Sequence, residues 1–172
     1  MKITGQVGAM VGFSAPADGW HRVAVQDGIN LSVNEGSQKE SLMVPFAIDE
    51  DGEDSGKRVT LFINTRDENK VPYKSVGNVI GNLLINLKMD KAFAAAFPDG
   101  TDILDPKVIE ALKIKLAGKF MYLRTKVGKD LHGNDRVNIA QMQTEDFRPE
   151  APKAAKAAAP KAETQAASPL GW

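Results

Sequence analysis

The hydrophobic period of this chain changes twice, and few folds accommodate that order. From Ser41 to Asn64 apolar residues recur at every second position: Leu42, Val44, Phe46 and Ile48, then Val59, Leu61 and Ile63. Such alternation gives a strand one apolar face. From Ser75 to Leu87 the apolar positions become Val76, Val79, Ile80, Leu83, Leu84 and Leu87, the stripe of an amphipathic helix. The period of two then returns in Phe120–Lys126 and Arg136–Gln143. A mainly β unit with a helical insertion is the expected result.

Local punctuation sharpens this outline. Gly19–Val33 reads as a strand with Val23 and Val25, then Ile29, Leu31 and Val33, bent or bulged at Asp27-Gly28. Asn34–Glu40 is a polar loop. Ser41–Ile48 contains Pro45, which lacks a ladder donor and predicts an edge or a bulge. The acidic turn Asp49–Gly56 leads to a strand over Lys57–Asn64. Gly77 and Gly81 predict a short or frayed first helix. The second helix has Asp105 as N-cap, Pro106 in its first turn, Val108, Ile109, Leu112 and Leu116 inward, and Gly118 as its stop. Three strands, a helical insertion between strands three and four, and two further strands is the order of an OB-fold, a five-stranded, partly open barrel.

That domain is expected to occupy residues 1–148. The opening MKITGQVGAMVGF reads as a mobile arm or a first strand, its apolar block too dilute for a signal peptide. From Pro149 onward Ala, Pro and Lys dominate, so residues 149–172 are expected to form a disordered tail. Leu170 and Trp172 give it an apolar tip suited to docking a partner protein.

Composition excludes several classes. The chain has no cysteine, hence no disulfide framework and no thiolate metal site or nucleophile. No apolar run approaches the roughly 18 residues of a membrane span, and a cytoplasmic protein is the expectation. The net charge of zero conceals an asymmetry. Glu35, Glu40, Asp49, Glu50, Asp51, Glu53 and Asp54 face only Lys39 in one region; Lys113, Lys115, Lys119, Arg124, Lys126, Lys129 and Arg136 face only Asp130 and Asp135 in another. A polyanion is drawn to the second and repelled by the first.

On the expected barrel, one parity of several strands mixes aromatic rings with cations. Strand one contributes Trp20 and Arg22, strand three Arg58 and Phe62, strand four Tyr122, Arg124 and Lys126, and strand five Arg136. The strand 4–5 loop adds Lys129 and His132. Rings stack on bases while cations neutralise phosphates, the combination that single-stranded nucleic acid requires. Solvated cations beside rings covering a sheet edge would leave the same pattern.

The arrangement resembles the single-stranded DNA-binding proteins of bacteriophages. The likeness spans roughly Pro16–Phe147 and is carried by PADGWHRVAV, KRVTLFINT, an insertion ending LAGK, and the aromatic-basic fourth strand. It implies an OB-fold that coats single-stranded DNA in replication or recombination within the host cytoplasm, partnered through its tail with replication or recombination proteins. The tail resembles the tethered tips of bacterial single-strand binders but lacks their acidic character.

Catalytic and metal signatures are not found. His21 and His132 are far apart and lack metal-ligand spacing. GKDLHGND and DEDGED read as hairpin loops, the latter without the spacing or closing Glu of a calcium loop. VGNVIGN lacks a phosphate-loop context, and no serine sits in GxSxG. The expectation is a non-enzyme with no metal and no cofactor. Two classes remain: a binder of single strands, DNA or RNA, and an adaptor or virion assembly module, whose outer face would be apolar.

Overall fold

The computed structural model describes residues 15–149. The terminal arm and the tail, with Leu170 and Trp172, lie outside the described residues. In chain order the elements are β1 (Gly19–Val25), β2 (Asn30–Val33), β3 (Glu40–Ile48), β4 (Arg58–Arg66), α1 (Val76–Asn86), α2 (Asp90–Ala96), α3 (Pro106–Lys115), β5 (Phe120–Lys129) and β6 (Asp135–Thr144). The six strands form one antiparallel sheet. Its order is β2-β3-β1-β5-β6, with β4 on the other side of β3. The described residues are therefore mainly β with three helices.

Six strands replace the five expected because the chain breaks at Asp27-Gly28. Gly28 has φ +106°, a conformation that costs a side chain dearly and glycine little. β1 consequently pairs with the end of β3 (Val25↔Phe46) and β2 with its beginning (Asn30↔Met43). The break also corrects the expectation that Pro45 marks an edge or a bulge. Pro45 lies within β3, the strand with most partners, and its carbonyl accepts from Gln26 N at 2.9 Å. A strand residue directs its N–H and C=O to the same side. The missing donor of Pro45 thus faces the interruption between β1 and β2, where little ladder is lost.

One core joins sheet and helices. Val23 and Val25 of β1, Leu42, Val44, Phe46 and Ile48 of β3, and Met121 and Leu123 of β5 point inward and are buried. Ile80, Leu83, Val108 and Leu112 meet them from the helices. Asp105 caps α3 by accepting from Lys107 N at 2.8 Å, and Gly118, at φ +81°, turns the chain into β5. There its N–H reaches Val25 O at 2.8 Å, extending the β1–β5 ladder. α2 has no counterpart in the expected elements: it is seven residues long and buries only Phe93.

The sheet does not close. β4 and β6 are its two free flanks at this end, and no ladder joins them. α1 packs against both strands, holding them near each other across a seam.

Candidate nucleic-acid interface

Alternation in β1 and β5 determines what the outer face displays. With His21, Val23 and Val25 turned inward, Trp20, Arg22 and Ala24 must turn outward. On β5, burial of Met121, Leu123 and Thr125 leaves Phe120, Tyr122, Arg124 and Lys126 outside. The register then sets Trp20 opposite Arg124, Arg22 opposite Tyr122 and Ala24 opposite Phe120. A ring therefore faces a cation across the two strands at both Trp20–Arg124 and Tyr122–Arg22.

Several of these groups already have partners. The Arg22 guanidinium lies 4.1 Å from the Phe120 ring centroid, a cation–π distance, and also pairs with Asp49. Arg124 donates to Gln141 Oε1 at 3.2 Å. Lys129, at the end of the β5–β6 hairpin, pairs with Asp135 at 2.5 Å. Among the described residues, no salt bridge engages Arg58, Arg124, Lys126 or Arg136.

A residue outside the expected site completes the aromatic cluster. Phe147, beyond β6, sits 4.5 Å from the Trp20 ring and 5.8 Å from that of Tyr122, edge-on to the latter. Its segment is tied down by Lys88, which reaches Asp146 at 2.5 Å and Glu145 at 3.6 Å. This contact draws the Asp146 carboxyl below its ordinary value. The only sequence signal for Phe147 is a lone ring in the polar stretch Glu145–Arg148.

The second cluster lies at the open seam. A groove of about 360 Å³ between β4 and β6 is lined by Arg58 to Phe62 and by Arg136 to Ile139. Ile63 and Thr65 are turned inward, so Phe62 is turned out, and it is 58 % exposed. Arg58 and Arg136 contribute from opposite walls. Of the nine expected residues, the structure gathers Trp20, Arg22, Tyr122 and Arg124 on β1 and β5, with Lys126 further along β5. It gathers Arg58, Phe62 and Arg136 at the seam, and leaves Lys129 at the hairpin end. The two groups share the outer face through β3, whose Ala47 lies opposite both Ala24 and Arg58.

The acidic hairpin between β3 and β4 braces this face. Glu50 Oε1 lies 2.6 Å from His21 Nδ1, and its Oε2 accepts from Arg22 N at 3.1 Å. Asp54 accepts from Ala17 N at 3.0 Å and from Lys57 Nζ at 2.8 Å. The Lys57 hydrogen bond holds the Asp54 carboxyl below its ordinary 3.8. A carboxyl depressed by folding stabilises the fold above its unfolded pKa, and that contribution is lost as pH falls through the folded value. Asp54→Asn is therefore expected to lower Tm at neutral pH, with the gap to wild type closing in melts taken progressively below about pH 4.

The β5–β6 loop uses its own acid in the same way. Asp130 Oδ1 accepts from His132 N at 2.8 Å and Asn134 N at 2.9 Å. These amides hold its carboxyl below the usual range. Among the described residues, no three His, Cys, Asp or Glu side chains gather to hold a metal, and no helix is long and apolar enough to cross a membrane. No protein-family model matches the chain, and no curated protein matches it.

Proposed function

We propose that this protein binds single-stranded DNA by base stacking and phosphate contacts, with little sequence preference and no catalytic step. The observation that carries the reading is the seam: an exposed Phe62 lines the same groove as Arg58 and Arg136, with neither arginine in a salt bridge among the described residues. An exposed ring beside a groove that two such arginines also line offers a base a stacking platform and its phosphates a counter-charge. The ring and cation pairs of β1 and β5 extend that platform along the outer face.

The fold is read as an OB-type sheet left open at one seam. With β1 and β2 counted as one bent strand, strand one is flanked by strands two and four, and strands three and five remain as the free flanks. The proposed role is coating and protection of single strands in phage replication or recombination, in the host cytoplasm. An assembly module built on the same sheet would gain from an apolar outer face. The mixture of arginine, lysine and aromatic side chains here favours nucleic acid instead.

Titration of the full chain with oligo-dT and with a matched duplex, at two salt concentrations, tests this. Tighter binding of the single strand is expected, weakening as salt rises because neutralised phosphates release counterions. Equal affinity for duplex, or indifference to salt, would overturn the proposal. Oligo-U compared with oligo-dU separates RNA from DNA, since those two differ only in the 2′-hydroxyl.

A further inference from the structure

An apolar groove of about 370 Å³ runs between α1, α2 and the loop leading to α3. Ile85, Phe93, Phe97 and Ile103 line it, with Asp90 and Asp99 among its lining residues. Ile85 is 53 % exposed, an apolar side chain with nothing over half its surface. The volume lies within the roughly 300–1,000 Å³ of well-formed binding pockets. Nothing in the proposed binding of single strands uses this groove, which sits on the helical insertion.

We infer that the groove is the docking site for the Leu170–Trp172 segment of the same chain. Three observations select that occupant. The first is the path of the chain: Lys88, three residues from Ile85 and two from Asp90 in sequence, holds Glu145 and Asp146, so the chain passes the helical insertion a few residues before the tail begins. The second is reach. About 20 residues separate Pro149 from Leu170, and a random coil of that length spans roughly 25 Å end to end. The third is complementarity. The stretch 151–162 carries Lys153, Lys156 and Lys161 and no acid, while residues 169–172 place Leu170 and Trp172 at its end. A basic tether with an apolar tip matches an apolar groove bearing Asp90 and Asp99. Tethering also makes docking intramolecular, so a weak contact is filled at high effective concentration.

The test uses the full chain carrying Trp20→Phe, which leaves Trp172 as the one tryptophan and keeps a ring against Phe147. Blue-shifted Trp172 emission is expected, independent of protein concentration. Ile85→Lys should move it to the red without lowering Tm, because Ile85 is half exposed. Asp90→Lys with Asp99→Lys should shift it partway in the same direction. Solvent-like emission that Ile85→Lys leaves unchanged overturns the inference. So does a blue shift that vanishes on dilution, which assigns the groove to a second copy. A blue shift released by oligo-dT but not by Ile85→Lys also overturns it, and places Trp172 on the nucleic-acid face. The Ile85→Lys and dilution readouts do not depend on whether the protein binds single strands.

Discussion

Phe62→Ala is expected to weaken oligo-dT binding by about 1–3 kcal/mol, the usual worth of one base–aromatic stack. The fold should barely register the change. Phe62 is 58 % exposed, and substitutions at such sites generally alter stability by less than about 0.5 kcal/mol. Phe62→Trp, which keeps a π-face, should retain most of the affinity. Arg58→Ala and Arg136→Ala should act differently: each lowers affinity and reduces the salt slope by about one, as expected for a lost phosphate contact. Titrations at several salt concentrations, alongside melts of each variant, separate these effects. Wild-type affinity in a folded Phe62→Ala protein would remove the seam from the binding surface.

The fold was legible where burial is periodic. Leu42, Val44, Phe46 and Ile48 alternate without interruption, and all four are buried. The parity of β1, β4 and β5 follows from the same signal, because a one-residue slip would bury Arg22 or Arg124. Ends were less legible. β5 continues to Lys129 through Val127 and Gly128, and β4 to Arg66, because main-chain ladders sustain strand ends whose side chains carry no pattern. The register shift between Arg124 and Thr125 sets Ile139 and Met142, three residues apart, on the inner side of β6, which interrupts the alternation there. α2 went unread since a seven-residue helix with one buried residue has almost no period to detect.

The candidate site divides in the same way. Its outward residues followed from strand parity, a local property. Their partners did not, because partners depend on how distant segments return. Arg22 looked like a free cation in sequence. The acidic hairpin folds back onto β1 and supplies Asp49, while Phe120 comes to lie beneath its guanidinium. Trp20 and Tyr122 looked like open stacking faces. Phe147 covers part of both, held in place by a lysine at the end of a helix nearly 60 positions earlier. Nor could the seam be foreseen, since it exists only because the sheet stops short of joining β4 to β6.

Adjacent residues of β5 should therefore give opposite phenotypes. Leu123 is fully buried, and Leu123→Ala is expected to destabilise the domain by about 2–5 kcal/mol through lost transfer energy and a residual cavity. The protein that remains folded should bind oligo-dT as wild type does, because nothing on the outer face has changed. Tyr122→Ala should destabilise far less, by about 0.5–1.5 kcal/mol for its edge contact with Phe147, together with some loss of covered apolar area. Its principal effect should be on binding, by removing the ring opposite Arg22. Phe147→Ala sharpens the comparison. If a base stacks on Trp20 and Tyr122, it competes with Phe147 for the same ring surface, and deleting that competitor should strengthen binding while lowering Tm slightly. Denaturant melts and oligo-dT titrations on the three variants give both readouts. A Tyr122→Ala protein that melts like Leu123→Ala, or a Leu123→Ala protein that folds normally but loses binding, would show that the inner and outer faces of β5 are reversed. If Phe147→Ala weakens binding instead, Phe147 is part of the stacking platform, and Lys88 holds a ligand contact in place rather than a cover.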